Sequence, residues 1–306
     1  MCGVVPPVCT PLTPERDVDV ASLRRLVDHL VDGGVDGLFI LGSTSEVAFL
    51  TDRQRGLVTD ATLEHVAGRV PVLSGVIDMT TARVAEHVAV AAKAGCAGVV
   101  VTAPFYTRTH PAEIERHFRV VAERSDVPVY AYDLPVSVHS KLAGTMLLDL
   151  AQEGVLAGLK DSSGDDAALR TLLVERADRG EPVAGFSVLT GSELTVDTAL
   201  FMGVDGVVPG LGNVDPAGYA RLYRACRAGD WDAARDEQVR LLRLMNLAQA
   251  GSPDRMGRGS SALGAFKAAL ELLGVIDCAV TAEPQIPLEP REIEIVRGHL
   301  ERAGLR

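Results

Sequence analysis

The chain has 306 residues, of which 47% are hydrophobic and 23% charged, with a formal net charge of −11. That composition supports a large core and excludes wholesale disorder, while an acidic surface repels phosphate backbones and makes nucleic acid a poor partner. No apolar run approaches the roughly 20 residues that cross a bilayer, no secretion signal opens the chain, and the five cysteines are scattered without a CxxC pair, so a reduced, cytoplasmic setting is expected.

In chain order, the first apolar run, Val4 to Cys9, reads as a buried strand. Leu23, Leu26, Val27, Leu30 and Val31 then share one helical face. Gly34-Val35-Asp36-Gly37 follows and precedes the apolar run Leu38-Phe39-Ile40-Leu41. The same punctuation returns as Gly95-Cys96-Ala97-Gly98 before Val99-Val100-Val101, and as Gly203-Val204-Asp205-Gly206 before Val207-Val208. A looser copy runs from Gly154 to Gly158 before Leu159-Lys160. The first glycine of each reads as a left-handed helix terminator and the apolar run as a buried strand. Between these marks, Val70-Pro71-Val72, Val127-Pro128-Val129 and Pro182-Val183 each open another apolar run, since proline is tolerated at a strand's first residue.

These runs make eight strands alternating with helical segments such as the one carrying Val84, His87, Val88 and Ala91. The unit recurs about every 25 to 30 residues, and the even spacing and the count predict a closed parallel (β/α)8 TIM barrel rather than an open doubly wound sheet. The barrel is expected over 1–229, ending in a helix near 216–228. Helical patterns near 231–248, 260–273 and 290–303 predict a small C-terminal helical appendage over 230–306.

Chemistry in such a barrel sits at the C-terminal ends of the strands. Lys160 follows an apolar stretch there, and an apolar barrel mouth favours the neutral amine that a Schiff-base nucleophile requires. Position alone serves equally well a lysine paired with Asp161 and pointing at solvent. Lys141 and Lys93, in or beside helices, are weaker candidates, and Lys267 reads as a surface residue of the appendage. Tyr132 ends the neighbouring strand, where a phenol relays protons or simply closes the barrel top. Gly42, Ser43 and Thr44 offer two hydroxyls and turn amides, which suit a carboxylate or, equally, an N-cap for the helix starting near Thr51. Of the seven histidines only His110 and His139 fall in loops near the mouth, and there is no HxH or HExxH spacing, no GxGxxG and no Walker-type loop. No metal and no cofactor is expected.

The motifs together resemble the family of pyruvate-dependent Schiff-base lyases that includes dihydrodipicolinate synthase, N-acetylneuraminate lyase, 2-keto-3-deoxygluconate aldolase and 4-hydroxy-2-oxoglutarate aldolase. The resemblance covers essentially the whole chain. It rests on Gly42-Ser43-Thr44-Ser45-Glu46, Pro104-Phe105-Tyr106, Tyr132-Asp133-Leu134-Pro135, Gly158-Leu159-Lys160 and the later Gly191 and Gly206. It implies Lys160 as nucleophile, Tyr132 as proton relay, and Ser43 and Thr44 as carboxylate binders with Ser43 touching the relay. It also implies Tyr106 as a relay tyrosine lent to a neighbouring subunit of a homotetramer or dimer, and Val208 as a residue whose carbonyl faces the lysine. Ser45 replaces the family's usual glycine and Asp133 its usual asparagine. The synthase branch carries an arginine two residues after the motif proline, where this chain has Ser137. The stretch after Lys160 and Gly191-Ser192-Glu193 is more similar to the sugar-acid and hydroxy-oxoglutarate aldolases, with Ser162 and Glu193 as hydroxyl binders.

The resemblance therefore implies a lyase that cleaves a 2-oxo acid to pyruvate and an aldehyde, or condenses them. The alternatives are 4-hydroxy-tetrahydrodipicolinate synthase, a 2-keto-3-deoxy acid dehydratase, and a non-catalytic 2-oxo acid sensor. The last needs neither Lys160 nor Tyr132.

Overall fold

The computed structural model describes residues 1–306. Eight strands form one parallel sheet: β1 (Gly3–Val4), β2 (Leu38–Ile40), β3 (Val72–Gly75), β4 (Gly98–Thr102), β5 (Val129–Asp133), β6 (Gly158–Asp161), β7 (Ser187–Thr190) and β8 (Gly206–Val207). The sheet order is β1-β8-β7-β6-β5-β4-β3-β2. It closes through a parallel bridge between Pro7 and Phe39, with Val8 N donating to Phe39 O at 2.8 Å and Phe39 N to Pro6 O at 3.0 Å. The expected parallel barrel is therefore the fold.

Helices connect the strands: α1 (Val20–Asp32), α2 (Asp52–Val66), α3 (Thr81–Ala94), α4 (Pro111–Glu123), the single turn α5 (Pro135–Val138), α6 (Gly144–Gln152), α7 (Asp166–Arg179), α8 (Val196–Met202) and α9 (Pro216–Ala228). Beyond them lie α10 (Trp231–Met245), α11 (Arg258–Leu272) and α12 (Pro290–Arg302). The punctuating glycines Gly34, Gly95, Gly154 and Gly203 all have positive φ, the left-handed geometry that stops a helix and turns the chain into the next strand.

Two local expectations are corrected. Pro182 does not open a strand: Glu181–Val183 is a 3₁₀ turn and β7 begins at Ser187. Pro71 and Pro128 stand directly before their strands, whereas a full turn after Gly180 separates Pro182 from the ladder. The first strand is also shorter than Val4 to Cys9, because Pro6 and Pro7 have no N–H to give the ladder.

Alternation along the strands splits the core. Val5, Phe39, Leu73, Val100, Tyr130, Tyr132, Leu189 and Val208 pack inside the barrel. A cluster of 28 buried residues joins β4 to β7 to their helices, and one of 40 joins β1, β2 and β8 to their helices and to α10, α11 and α12. No helix is long and apolar enough to cross a membrane.

Candidate active site

The register places Tyr132 of β5 directly beside Lys160 of β6. Lys160 is 7% exposed and turns into the barrel, its Nζ 4.1 Å from the centre of the Tyr132 ring and 4.8 Å from that of Phe39. It shares a small interior cavity with Val5, Phe39, Leu73, Val100, Tyr130, Leu189 and Val208. Asp161 faces the opposite way, as successive strand residues must, and makes no ion pair: its Oδ1 accepts from Ser163 N at 2.7 Å. Lys141 and Lys267 each pair with a carboxylate, of Asp133 and Glu46, whereas Lys160 pairs with none.

The Tyr132 phenol lies 3.5 Å from Ser43 Oγ. Burial raises its pKa, but the positive charge of Lys160 and the hydroxyls of Ser43 and Ser162 outweigh burial and hold it below the ordinary value. Ser43 is exposed and Thr44 half-buried in the turn after β2, where Ser45 N donates to Gly42 O and Glu46 N to Ser43 O. Neither hydroxyl caps a helix, since Thr51 caps α2 through a capping box with Gln54. Gly42 N instead donates to Ser45 Oγ at 3.2 Å.

The loop leaves β2 through Leu41 in the left-handed region, at φ 55°. Gly75 in β3 permits this, because a Cβ there would sit 2.0 Å from Leu41 O. Leu41, Glu46, Tyr106 and His139 are four of the six non-glycine residues with positive φ, and all four follow β2, β4 or β5 at the barrel mouth. Strain gathered at one face marks a functional surface.

The other predicted positions fall around this centre with different occupations. Ser162 is half-buried and lies against Gly191, where an added Cβ would sit 2.1 Å from Ser162 Oγ and force that hydroxyl to move. Glu193 is held by Leu211 N at 2.8 Å and the Tyr219 hydroxyl at 2.9 Å, and burial keeps its carboxyl above the usual range. Val208 closes the cavity around Lys160. Tyr106 stands 90% exposed at φ 80° in the loop after β4.

Sequence reasoning missed several contributors. Phe39 floors the lysine cavity. Asp133, fully buried, is answered by Lys141 and by Leu142 N at 3.2 Å, so the departure from asparagine comes with its own counter-charge. Lys267 is not a surface residue: it is 1% exposed, paired with Glu46 and donating to Val280 O at 2.9 Å. Helical periodicity had no means to reveal it, since its partner lies in another part of the chain. His117 of α4 is buried as well. No group of three or more His, Cys, Asp or Glu side chains is placed to hold a metal ion.

A parallel (β/α)8 barrel with an unpaired, buried lysine beside a phenol at its C-terminal mouth is the architecture of a class I aldolase-type lyase. The model of the dihydrodipicolinate synthetase family matches residues 1–303, and the chain belongs to that family. Relatives include a 4-hydroxy-tetrahydrodipicolinate synthase of Salinibacter ruber, 34% identical over 79% of each chain. An uncharacterised DapA-like lyase of Halobacterium salinarum is 36% identical over 77% of this chain and 75% of its own. Among solved structures, YagE, a prophage protein of the same family from E. coli K12 in complex with pyruvate, superposes with a TM-score of 0.90 at 29% identity, covering 100% of this chain and 99% of that one. A monomeric dihydrodipicolinate synthase variant gives 0.90 at 25% identity, covering 100% and 98%.

Proposed function

We propose that this lyase forms an imine between Lys160 and a 2-oxo acid and cleaves or makes the adjacent C3–C4 bond, on a sugar-acid or 4-hydroxy-2-oxoglutarate type of substrate. The observation that carries this reading is Lys160 itself, buried, free of any carboxylate and within reach of the Tyr132 phenol. The amine attacks the C2 carbonyl, and loss of water leaves an iminium. That iminium accepts the C3–C4 electron pair as Tyr132 takes the C4 hydroxyl proton, releasing an aldehyde and leaving a pyruvate enamine. Ser43 and Thr44, neither engaged in capping, receive the carboxylate. Tyr106, exposed on its strained loop, serves the relay of a neighbouring copy, and the active form is a cytoplasmic homo-oligomer.

Borohydride reduction with pyruvate is expected to add one pyruvate-derived group to the tryptic peptide bearing Lys160, seen by mass spectrometry. An adduct on another lysine, or none, overturns the reading.

A second reading, 4-hydroxy-tetrahydrodipicolinate synthase, is favoured by the names of several relatives and by one feature of the mouth. Arg108 has no carboxylate partner and lines a polar groove with Tyr106, Thr107, Thr109, His139 and Ser140, a place for a substrate carboxylate that Ser137 does not serve. Comparing kcat/KM for pyruvate plus aspartate semialdehyde with cleavage of 2-keto-3-deoxygluconate and 4-hydroxy-2-oxoglutarate separates the two. The aldolase reading expects the semialdehyde to be at least about tenfold poorer, the loss typical of a missing charged contact.

A further inference from the structure

We infer that the buried Glu46–Lys267 ion pair is a positioning device through which the C-terminal helices hold the carboxylate-binding turn in shape. This rests on the reading that Ser43 and Thr44 receive the 2-oxo acid carboxylate.

The turn divides its residues by task. Ser43 is exposed with its Oγ 3.5 Å from the Tyr132 hydroxyl and Thr44 is half-buried, while Ser45 and Glu46 are buried. Ser45 is tied to the chain after β1: its Oγ donates to Val8 O at 2.5 Å, and its carbonyl accepts from Thr10 Oγ1 at 2.8 Å. Glu46 is tied to the other end of the molecule. One carboxylate oxygen accepts from Ala282 N at 2.6 Å and the other pairs with Lys267 of α11. The Lys267 ammonium also donates to Val280 O, so carboxylate, ammonium and the 280–282 backbone form one closed network. Both side chains are at most 1% exposed. Glu46 holds φ 61°, and the turn containing Ser43 runs through its backbone N–H.

Two charges removed from water stay ionised only if each satisfies the other, and such a pair tolerates little displacement. Fixing Glu46 from below therefore fixes the backbone that presents Ser43 and Thr44 above. A residue acting in this way never touches the substrate, and its loss selectively affects ligands that use the turn.

Borohydride trapping at Lys160 with pyruvate and with acetone, which lacks the carboxylate, separates positioning from general damage. The proteins compared are wild type, Lys267→Met and the charge-free double variant E46Q/K267M. In the variants, the preference for pyruvate over acetone is expected to fall about tenfold, the scale of a lost charged hydrogen bond, while acetone trapping stays within about twofold of wild type. The double variant should recover thermal stability lost in the single one without recovering the preference. An unchanged preference in a folded variant, equal loss with both ketones, or failure of both variants to fold overturns the inference. Failure of wild type itself to be trapped refutes the Schiff-base reading instead.

Discussion

Tyr132 does two jobs with one ring. Its face covers the Lys160 ammonium and its hydroxyl meets Ser43, so removing the oxygen alone separates chemistry from packing. Tyr132→Phe is expected to keep the circular dichroism spectrum and to lower kcat by roughly 100-fold or more, the usual effect of losing a positioned acid–base group. An unchanged kcat would remove the relay role. At this scale the sequence revealed residues whose oddity is local. Lys160 stands out because an ionisable group ends an apolar strand, and Tyr132 because it ends the next one. Lys267 gives no such sign: in its helix it is flanked by Phe266 and Ala268, and only folding brings Glu46 to it. Ser45 and Asp133 are visible as departures from a motif, but their compensation by Val8 O and Lys141 is tertiary.

Strands and helices were legible where backbone chemistry acts within a few residues. The left-handed glycines stop their helices regardless of context, whereas proline signals only permission, which is why Pro71 and Pro128 border strands and Pro182 does not. The packing of one helix on another was not legible, and His117 is the instructive case. It lies on α4, 2% exposed, with Nδ1 2.9 Å from Thr81 Oγ1 at the start of α3 and its other nitrogen buried without a partner. Burial pushes its pKa down to about 4, whereas an unfolded histidine titrates near 6.5. The unfolded chain therefore binds a proton that the folded one refuses. This weakens folding as pH falls from about 6.5 toward 4 and has no effect above that window. The loss approaches an order of 3 kcal/mol at the lower end. His117→Gln removes the titration, so thermal melts of wild type and variant between pH 7 and 4.5 should converge on the acid side. Parallel curves would show that His117 is not the group responsible.

For the whole molecule, the question is whether the barrel stands without the three helices that follow it. A boundary at 229/230 follows from counting eight strand-helix units, and one buried cluster runs across it. About a third of the 40-residue cluster, including Leu241, Leu244, Phe266, Leu270, Val296 and Leu300, comes from beyond residue 229 and packs with Val4, Leu38, Ile40 and Val207. Each large side chain buried there contributes roughly 1.5–3 kcal/mol, against a total stability of about 5–15 kcal/mol for a typical domain. Six such side chains already reach that total, before counting the charge of Glu46 left without Lys267. A chain ending at residue 229 is therefore expected to show no cooperative thermal transition and to bind hydrophobic dye, while the full chain melts in one step. The side of the barrel away from these helices, where β4 to β7 meet α3 to α7, keeps its own cluster of 28 residues. Residual helical signal in the truncated chain should therefore come from there, and amide exchange would locate it. A cooperative melt of the truncated chain, with Lys160 still trapped by pyruvate, would instead make the first 229 residues an autonomous catalytic domain, and the appendage no more than a cover.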